Sequence, residues 1–330
     1  MKNLPPELAK ALSWRRDRVL RPFRRWLAFR GSAGLIRCRW PWPLKKPWQR
    51  ARLRLTSHGG GIGDELMCTP IFREIRRLNP ECHITFLSRY PEIFRNNPDL
   101  DEVERFSLAA AARAIYLQYN LVIPPPRPLV TLMGECVGLD LRPSRLEPPI
   151  VEPSPEVRAR FARIAEPRIL IQPQASAWTP NKQWPVELWR KLIEMLVERY
   201  DVVETGTQPL FANADWGPRF HSVAGATSMV DFAWMISQAT TFVGPPSGGM
   251  HLANAYEIPS VILFGGYEAP DGYDYPWVER FFTPVDCAPC WLTTPCPYEL
   301  KCLRAIKPED VFQAVIKAVE IGHGQKAAIA

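Results

Sequence analysis

The chain has 330 residues, 46% of them hydrophobic and 23% charged, a composition ordinary for a globular protein and a length sufficient for two domains with sizeable cores. It contains no run of about 18 or more uncharged apolar residues, so no membrane span is expected. The N-terminus lacks the apolar core and small-residue cleavage site of a secretory signal, which points to the cytoplasm and to reduced thiols. The net charge of +7 is uneven: residues 1–54 hold 16 Lys and Arg against Glu7 and Asp17, and the rest holds 25 bases against 32 acids.

Residues 1–51 read as a basic, aromatic arm. Leu8, Leu12, Val19, Phe23 and Trp26 fall close to one helical face, with Arg15, Arg16, Arg18, Arg21, Arg24 and Arg25 mostly on the others. Pro22 breaks or kinks this helix. A segment of this kind suits an anionic membrane surface, expected here through residues 1–48, with peripheral attachment to the inner membrane. It suits packing on the body or on another subunit as well, so an oligomer stays open. The acidic body and the lack of a nucleic-acid-binding module argue against nucleic acid.

From residue 52 strands and helices alternate. Arg52–Ser57 reads as a strand, Glu65–Leu78 as a helix and His83–Ser88 as a strand. Leu108–Tyr116 reads as a helix, Leu121–Pro124 as a buried strand and Leu129–Leu139 as a helix. Residues 52–141 are the first α/β domain. Residues 142–166 are a linker, with five prolines between Arg142 and Pro155, and Ser154-Pro155-Glu156 starts a short helix by cap and first-turn proline. Residues 167–330 are the second domain. Its expected strands are Arg168–Gln172, Val202–Thr205, Thr241–Gly244 and Ser260–Phe264, and its helices Val186–Tyr200, Met229–Ala239, Gly248–Tyr256 and Pro308–Ile321. Two α/β halves joined by a linker put a cleft at the carboxyl ends of their strands.

Three segments carry chemistry. The first is Gly59-Gly60-Gly61-Ile62-Gly63-Asp64-Glu65, between strand and helix. Gly60, Gly61 and Gly63 let a backbone approach a ligand closely and aim N–H groups at an anion. A dinucleotide fingerprint starting at Gly59 needs glycine at Asp64, and a phosphate-binding loop of the Walker type needs Gly-Lys-Ser/Thr where Gly63-Asp64-Glu65 stands, so neither fits. Asp64 either caps the helix or takes a proton from a nucleophile brought up to a phosphate ester. The second segment is Lys182 in Trp178-Thr179-Pro180-Asn181-Lys182-Gln183-Trp184-Pro185, a phosphate clamp or a surface charge. The third is Ser247-Gly248-Gly249-Met250-His251, a helix start suited to a diphosphate, with His251 as a donor to a phosphate or sugar oxygen. Glu204 and Gln208 are candidates for a ribose contact after strand Val202–Thr205.

Four cysteines crowd together as Cys287-x2-Cys290-x5-Cys296-x5-Cys302. In a reduced compartment they read as a four-thiolate site for Zn or Fe; two disulfides and free thiols are the alternatives. Cys38, Cys68, Cys82 and Cys136 are scattered and read as buried or inert.

Over about residues 52–320 the chain resembles glycosyltransferase family 9, the heptosyltransferase-like enzymes. The resemblance rests on Gly63-Asp64 with Thr69-Pro70, Asn97-Pro98 before Val103, Lys182-x-Trp184-Pro185, Ser247-Gly248-x-Met250-His251-Leu252-Ala253, and Pro259-x-Val261-x-Leu263-Phe264-Gly265. It implies a GT-B fold, two doubly wound Rossmann-like domains facing across a cleft, with the acceptor on the first and a nucleotide-diphosphate sugar, ADP-heptose favoured, on the second. It implies an inverting transfer without a catalytic metal: Asp64 as base, and Lys182 with the Ser247–His251 helix start holding the diphosphate. The acceptor would be a surface glycan of the lipopolysaccharide type or a protein hydroxyl. Autotransporter-modifying members resemble this chain and carry iron in a four-cysteine site, which raises iron and a protein acceptor as options. Pro246 stands where the family usually has Asp, which leaves a catalytically impaired nucleotide-sugar-binding scaffold as the rival from another class. A GT-B epimerase is disfavoured by Asp64 and the Lys182 motif.

Overall fold

The structure, a computed structural model, describes residues 46–329 apart from 122, 143, 144, 176–178, 274 and 277. The arm as far as residue 45, with Cys38, lies outside the described residues, as do Pro143 and Ser144 of the linker and Trp178 of the lysine segment.

In the first domain the chain runs β1 (Arg52–Ser57), α1 (Ile62–Leu66), α2 (Thr69–Leu78), β2 (His83–Ser88), α3 (Pro91–Phe94), β3 (Glu102–Arg105), α4 (Leu108–Ala111), β4 (Ile115–Leu117) and α5 (Leu129–Glu135). The strands form a parallel sheet in the order β3-β2-β1-β4. Its register sets Leu53 beside Ile84 and Leu55 beside Phe86, all four buried. The helix expected over Glu65–Leu78 is two helices. Pro70 has no N–H to give the Leu66 carbonyl, and the Thr69 hydroxyl donates to it instead at 2.8 Å.

Leu108–Tyr116 is not one helix. Ser107 caps a single turn, accepting from Ala110 N, and the β-branched and aromatic run Ile115-Tyr116-Leu117 then pairs with β1. The strand expected at Leu121–Pro124 is therefore displaced toward the N-terminus, and Leu121 is 62% exposed. Lys46–Arg50, assigned to the arm from sequence, instead belong to the first domain. Pro47 is buried, and the Trp48 carbonyl accepts from Asn79 at 3.1 Å.

After α6 (Pro155–Phe161) the second domain runs β5 (Arg168–Ile171), α7 (Val186–Val197), β6 (Asp201–Glu204), β7 (Phe220–Ser222), α8 (Met229–Ser237), β8 (Thr241–Gly244), α9 (Gly248–Ala255), β9 (Ser260–Gly265), β10 (Val278–Phe282), α10 (Lys301–Arg304) and α11 (Pro308–Ile329). Six parallel strands pair in the order β10-β9-β8-β5-β6-β7. β3, β7 and β10 lie outside the runs read from sequence; each is short or at a sheet edge.

One apolar cluster is continuous from Leu55 and Phe72 of the first domain to Phe242 and Met250 of the second, so the halves share a core. A second cluster covers the other face of the second sheet, where α7 and α11 pack. The linker is pinned to both sides: Glu147 N donates to Thr69 Oγ1 at 2.9 Å, and the Pro149 carbonyl accepts from Tyr256 at 2.7 Å. Among the described residues no helix is long and apolar enough to cross a membrane.

Candidate active site

The turn after β1 brings Asp64 to the domain boundary on the first turn of α1. Its Oδ2 accepts from Gly61 N at 3.1 Å and its Oδ1 from the Tyr119 hydroxyl at 2.7 Å. Burial first, and then the Asp64 charge, push the Tyr119 phenol well up, so it is a neutral, permanent donor. The glycines turn out to serve side-chain packing. A Cβ on Gly59 would overlap the Asp64 carboxylate, one on Gly60 (φ +71°) the Arg89 guanidinium, and one on Gly63 the His251 ring. Gly61 gives its N–H to Asp64, not to a free anion-binding loop.

Glu65, next to Asp64, points the other way into the core and is fully buried. It accepts from the Ser88 hydroxyl and, at 2.9 Å, from Arg89 N. Burial pushes its carboxyl up to about 7 against the pull of those donors and of the Arg89 charge. Arg89 lies with its guanidinium 4.0 Å from the centre of the Phe106 ring, beside Gly60.

On the second domain Thr179 starts the short turn Pro180–Lys182, and Asn181 ties it to the cysteine loop through the Leu292 and Thr294 carbonyls, both at 2.8 Å. Lys182 Nζ donates to the Pro246 carbonyl at 3.1 Å and lies 2.5 Å from Glu268 Oε1, with the Tyr267 ring centre at 4.8 Å. Glu268 Oε2 accepts from the Tyr273 hydroxyl at 2.8 Å. Glu268 is close enough to Tyr119 for its charge to disfavour the phenolate, and Tyr119 is in turn an electrostatic neighbour of Tyr273. Asp64 and Lys182, 118 positions apart in sequence, are brought to the same domain boundary, because the Asp64 turn meets the start of α9, with Gly63 against His251 and Ile62 against Gly248, and Lys182 is held at Pro246 beside that helix start. A pocket opens at this boundary, walled by Pro124 and Leu129 on one side and Tyr273, Pro289 and Trp291 on the other.

Ser247 is the N-cap of α9, and its hydroxyl donates to Gln172 Oε1 at 3.1 Å. Gly248 lets Ile62 of α1 close onto the helix start, and Gly249 makes room for Gln172 and the Phe242 ring. Two of the predicted site residues are engaged with the protein's own groups. His251 is 5% exposed and shares a hydrogen bond of 2.8 Å with the Tyr275 hydroxyl through Nδ1. Burial, and then the Lys182 charge, hold it down at about 3, so it is a neutral imidazole with Nδ1 engaged inside the interface. Glu204 is 1% exposed, and both its oxygens are engaged: Oε1 accepts from Leu210 N and Phe211 N, Oε2 from the Ser222 hydroxyl at 2.6 Å. It shapes the loop after β6 and is not presented to a ribose.

Cys287, Cys290, Cys296 and Cys302 carry free thiols, gathered closely enough that each shifts the titration of others. Backbone N–H groups of Leu292, Tyr298 and Leu303 donate to the sulfurs of Cys290, Cys296 and Cys302. Burial pushes the Cys287, Cys290 and Cys302 thiols up, Cys290 to about 11, against the pull of N–H groups at Cys290 and Cys302, and four soft sulfur donors are of the type that holds Zn or Fe. Among the described residues, however, no three His, Cys, Asp or Glu are arranged as a ready metal cage.

Tyr119, Glu268, Tyr273 and Gln172 were not identified from sequence. Glu268 carries the one usable signal, an acid in the loop just after a predicted strand's carboxyl end. Tyr119 reaches Asp64 across 55 residues, a pairing no local pattern encodes.

Two parallel sheets with helices on their faces, meeting along a cleft, define a GT-B fold. The model of glycosyltransferase family 9 (heptosyltransferase) matches residues 127–277, a little under half of the chain. A family 9 glycosyl transferase from Veillonella parvula is similar at 17% identity and TM-score 0.62, over 84% of this chain and 98% of that one. The ADP-heptose lipopolysaccharide heptosyltransferase II of E. coli is similar at 16% and 0.62, over 82% and 99%. The iron-containing dodecameric glycosyltransferase TibC from enterotoxigenic E. coli is similar at 19% and 0.63, over 81% and 78%. At these identities the likeness to solved structures is one of fold. No curated protein matches the chain significantly.

Proposed function

We propose that this chain transfers a heptose-type sugar, with inversion, from a nucleoside-diphosphate donor to a surface-glycan acceptor. ADP-heptose is the favoured donor, since two of the similar folds belong to proteins whose names carry ADP-heptose. The observation that carries the proposal is the meeting of the Asp64 turn of the first domain with the start of α9, beside which Lys182 of the second domain is held. In this reading Asp64 takes the proton of the acceptor hydroxyl as that oxygen bonds to the anomeric carbon. The bond from that carbon to the diphosphate breaks, and its electron pair stays on the departing phosphate oxygen. Lys182 and the N–H groups at the start of α9 neutralise the charge that develops there, so the chemistry needs no metal.

A thermal-shift panel of nucleotide-sugars tests the donor side. A true donor at about 100 times its Kd should stabilise the fold by roughly 2.7 kcal/mol. Stabilisation by a nucleotide-sugar without any turnover would favour the scaffold reading that Pro246 raises.

A protein hydroxyl is the second acceptor reading, favoured by the cysteine loop and by fold likeness to an iron-containing glycosyltransferase. The four cysteines would hold one structural Zn or Fe, and the oligomer would be set outside the transfer site. Elemental analysis should find close to one metal per chain, and replacing any one of Cys287, Cys290, Cys296 or Cys302 with Ser should lower metal content and melting temperature together. Absence of metal from freshly purified, reduced protein would remove the site. The basic arm would place the enzyme on an anionic membrane surface; the full chain should then co-sediment with anionic liposomes at low salt and be released at high salt, and a chain lacking residues 1–45 should not bind.

A further inference from the structure

Glu268 has no part in the transfer as proposed, yet it sits at the centre of the cleft. Its side chain is 3% exposed, and that of Lys182 is 16% exposed. A carboxylate at such depth is retained only with good partners, and Glu268 has two: the Lys182 ammonium at 2.5 Å and the Tyr273 hydroxyl at 2.8 Å. Lysine is a compact charge on a flexible four-carbon stem, and it holds one position only when anchored. Here the Glu268 carboxylate, the Pro246 carbonyl and the face of Tyr267 fix the ammonium from three sides. Pro246 directly precedes Ser247, the N-cap of α9, so the anchored charge is held beside the free N–H groups of that helix.

We propose that Glu268 is a positioning residue: it anchors Lys182 at the start of α9, so that a nucleoside diphosphate meets the lysine and the helix N-terminus together. This rests on the donor site proposed above and adds the residue that organises it. Charge alone predicts the opposite sign, since a carboxylate near a diphosphate repels it. The geometry favours anchoring because an ammonium has three N–H donors. The Pro246 carbonyl accepts from one of them and the Glu268 carboxylate holds the group as an ion pair, which leaves donor capacity for phosphate.

The test is calorimetry on the full chain with ADP, GDP, UDP and CDP, carried forward with the one bound best and with its parent nucleoside. Glu268→Gln should weaken the diphosphate at least about tenfold, the scale of a lost charge-assisted contact, and change the nucleoside less than about twofold. In a Lys182→Ala background the same substitution should add nothing further, because Glu268 acts through Lys182. Should Glu268→Gln fail to fold, Tyr273→Phe removes only the hydroxyl that orients Glu268, and it should weaken the diphosphate about threefold with the same dependence on Lys182. Unchanged or tighter diphosphate binding by these variants, or equal weakening with and without Lys182, would overturn the anchoring role while leaving the donor site standing. If the wild type binds none of the four diphosphates, the donor site itself fails, and this inference with it.

Discussion

Asp64→Asn should lower sugar transfer at least about a hundredfold, the scale of lost general-base catalysis, while donor affinity and the fold are kept. The amide oxygen of Asn can accept from Gly61 N or Tyr119, so the turn retains a partner, but the side chain can no longer take the acceptor's proton. The turn leaves little other freedom, since Gly59 is pressed against the carboxylate and α1 is closed onto α9 through Ile62 and Gly248. The measurement is kcat and donor Kd on one preparation. A variant with full kcat would take Asp64 out of the mechanism and leave it as a helix cap.

Lys182→Ala should weaken binding of the nucleoside diphosphate about tenfold or more and leave the parent nucleoside nearly unaffected. The ammonium is held against the carbonyl that precedes Ser247, where the diphosphate is expected. Removing it also leaves Glu268 buried without its cation, so some loss of stability should accompany the loss of affinity. Calorimetry with both ligands separates the two effects: equal weakening of nucleoside and diphosphate would mean that the domain, and not the phosphate contact, was damaged.

The sequence was most legible where one strand runs straight into one turn. β2 and β8 lie where the apolar runs His83–Ser88 and Thr241–Gly244 put them, and the segments around Asp64 and Ser247 do stand at strand-to-helix turns facing one another. Legibility failed where long-range pairing decides. Ile115–Leu117 is a strand because β1 offers it an edge, and Phe220–Ser222 because β6 does; neither run is long enough to announce itself. His251 and Glu204 were incompletely legible for a different reason. Both residue types are chemically capable of the roles assigned, and only burial shows that their capacity is used internally, by Tyr275 for one and by the loop at Leu210 and Phe211 for the other. Glu268 and Tyr119 show the converse, ordinary residues in sequence that the fold brings against the lysine and the candidate base respectively.

The proposed reaction is a displacement at the anomeric carbon, with the base on one domain and the diphosphate clamp on the other. Water is an acceptor available to any donor complex, so the claim can be tested without knowing the natural acceptor. ADP-heptose is incubated with the full chain, and proton NMR reads the first sugar released, before mutarotation. The expected result is release of ADP together with heptose of the opposite anomeric configuration to the donor, and loss of both signals in Asp64→Asn. Release with retained configuration, or equal release by Asp64→Asn, would contradict it.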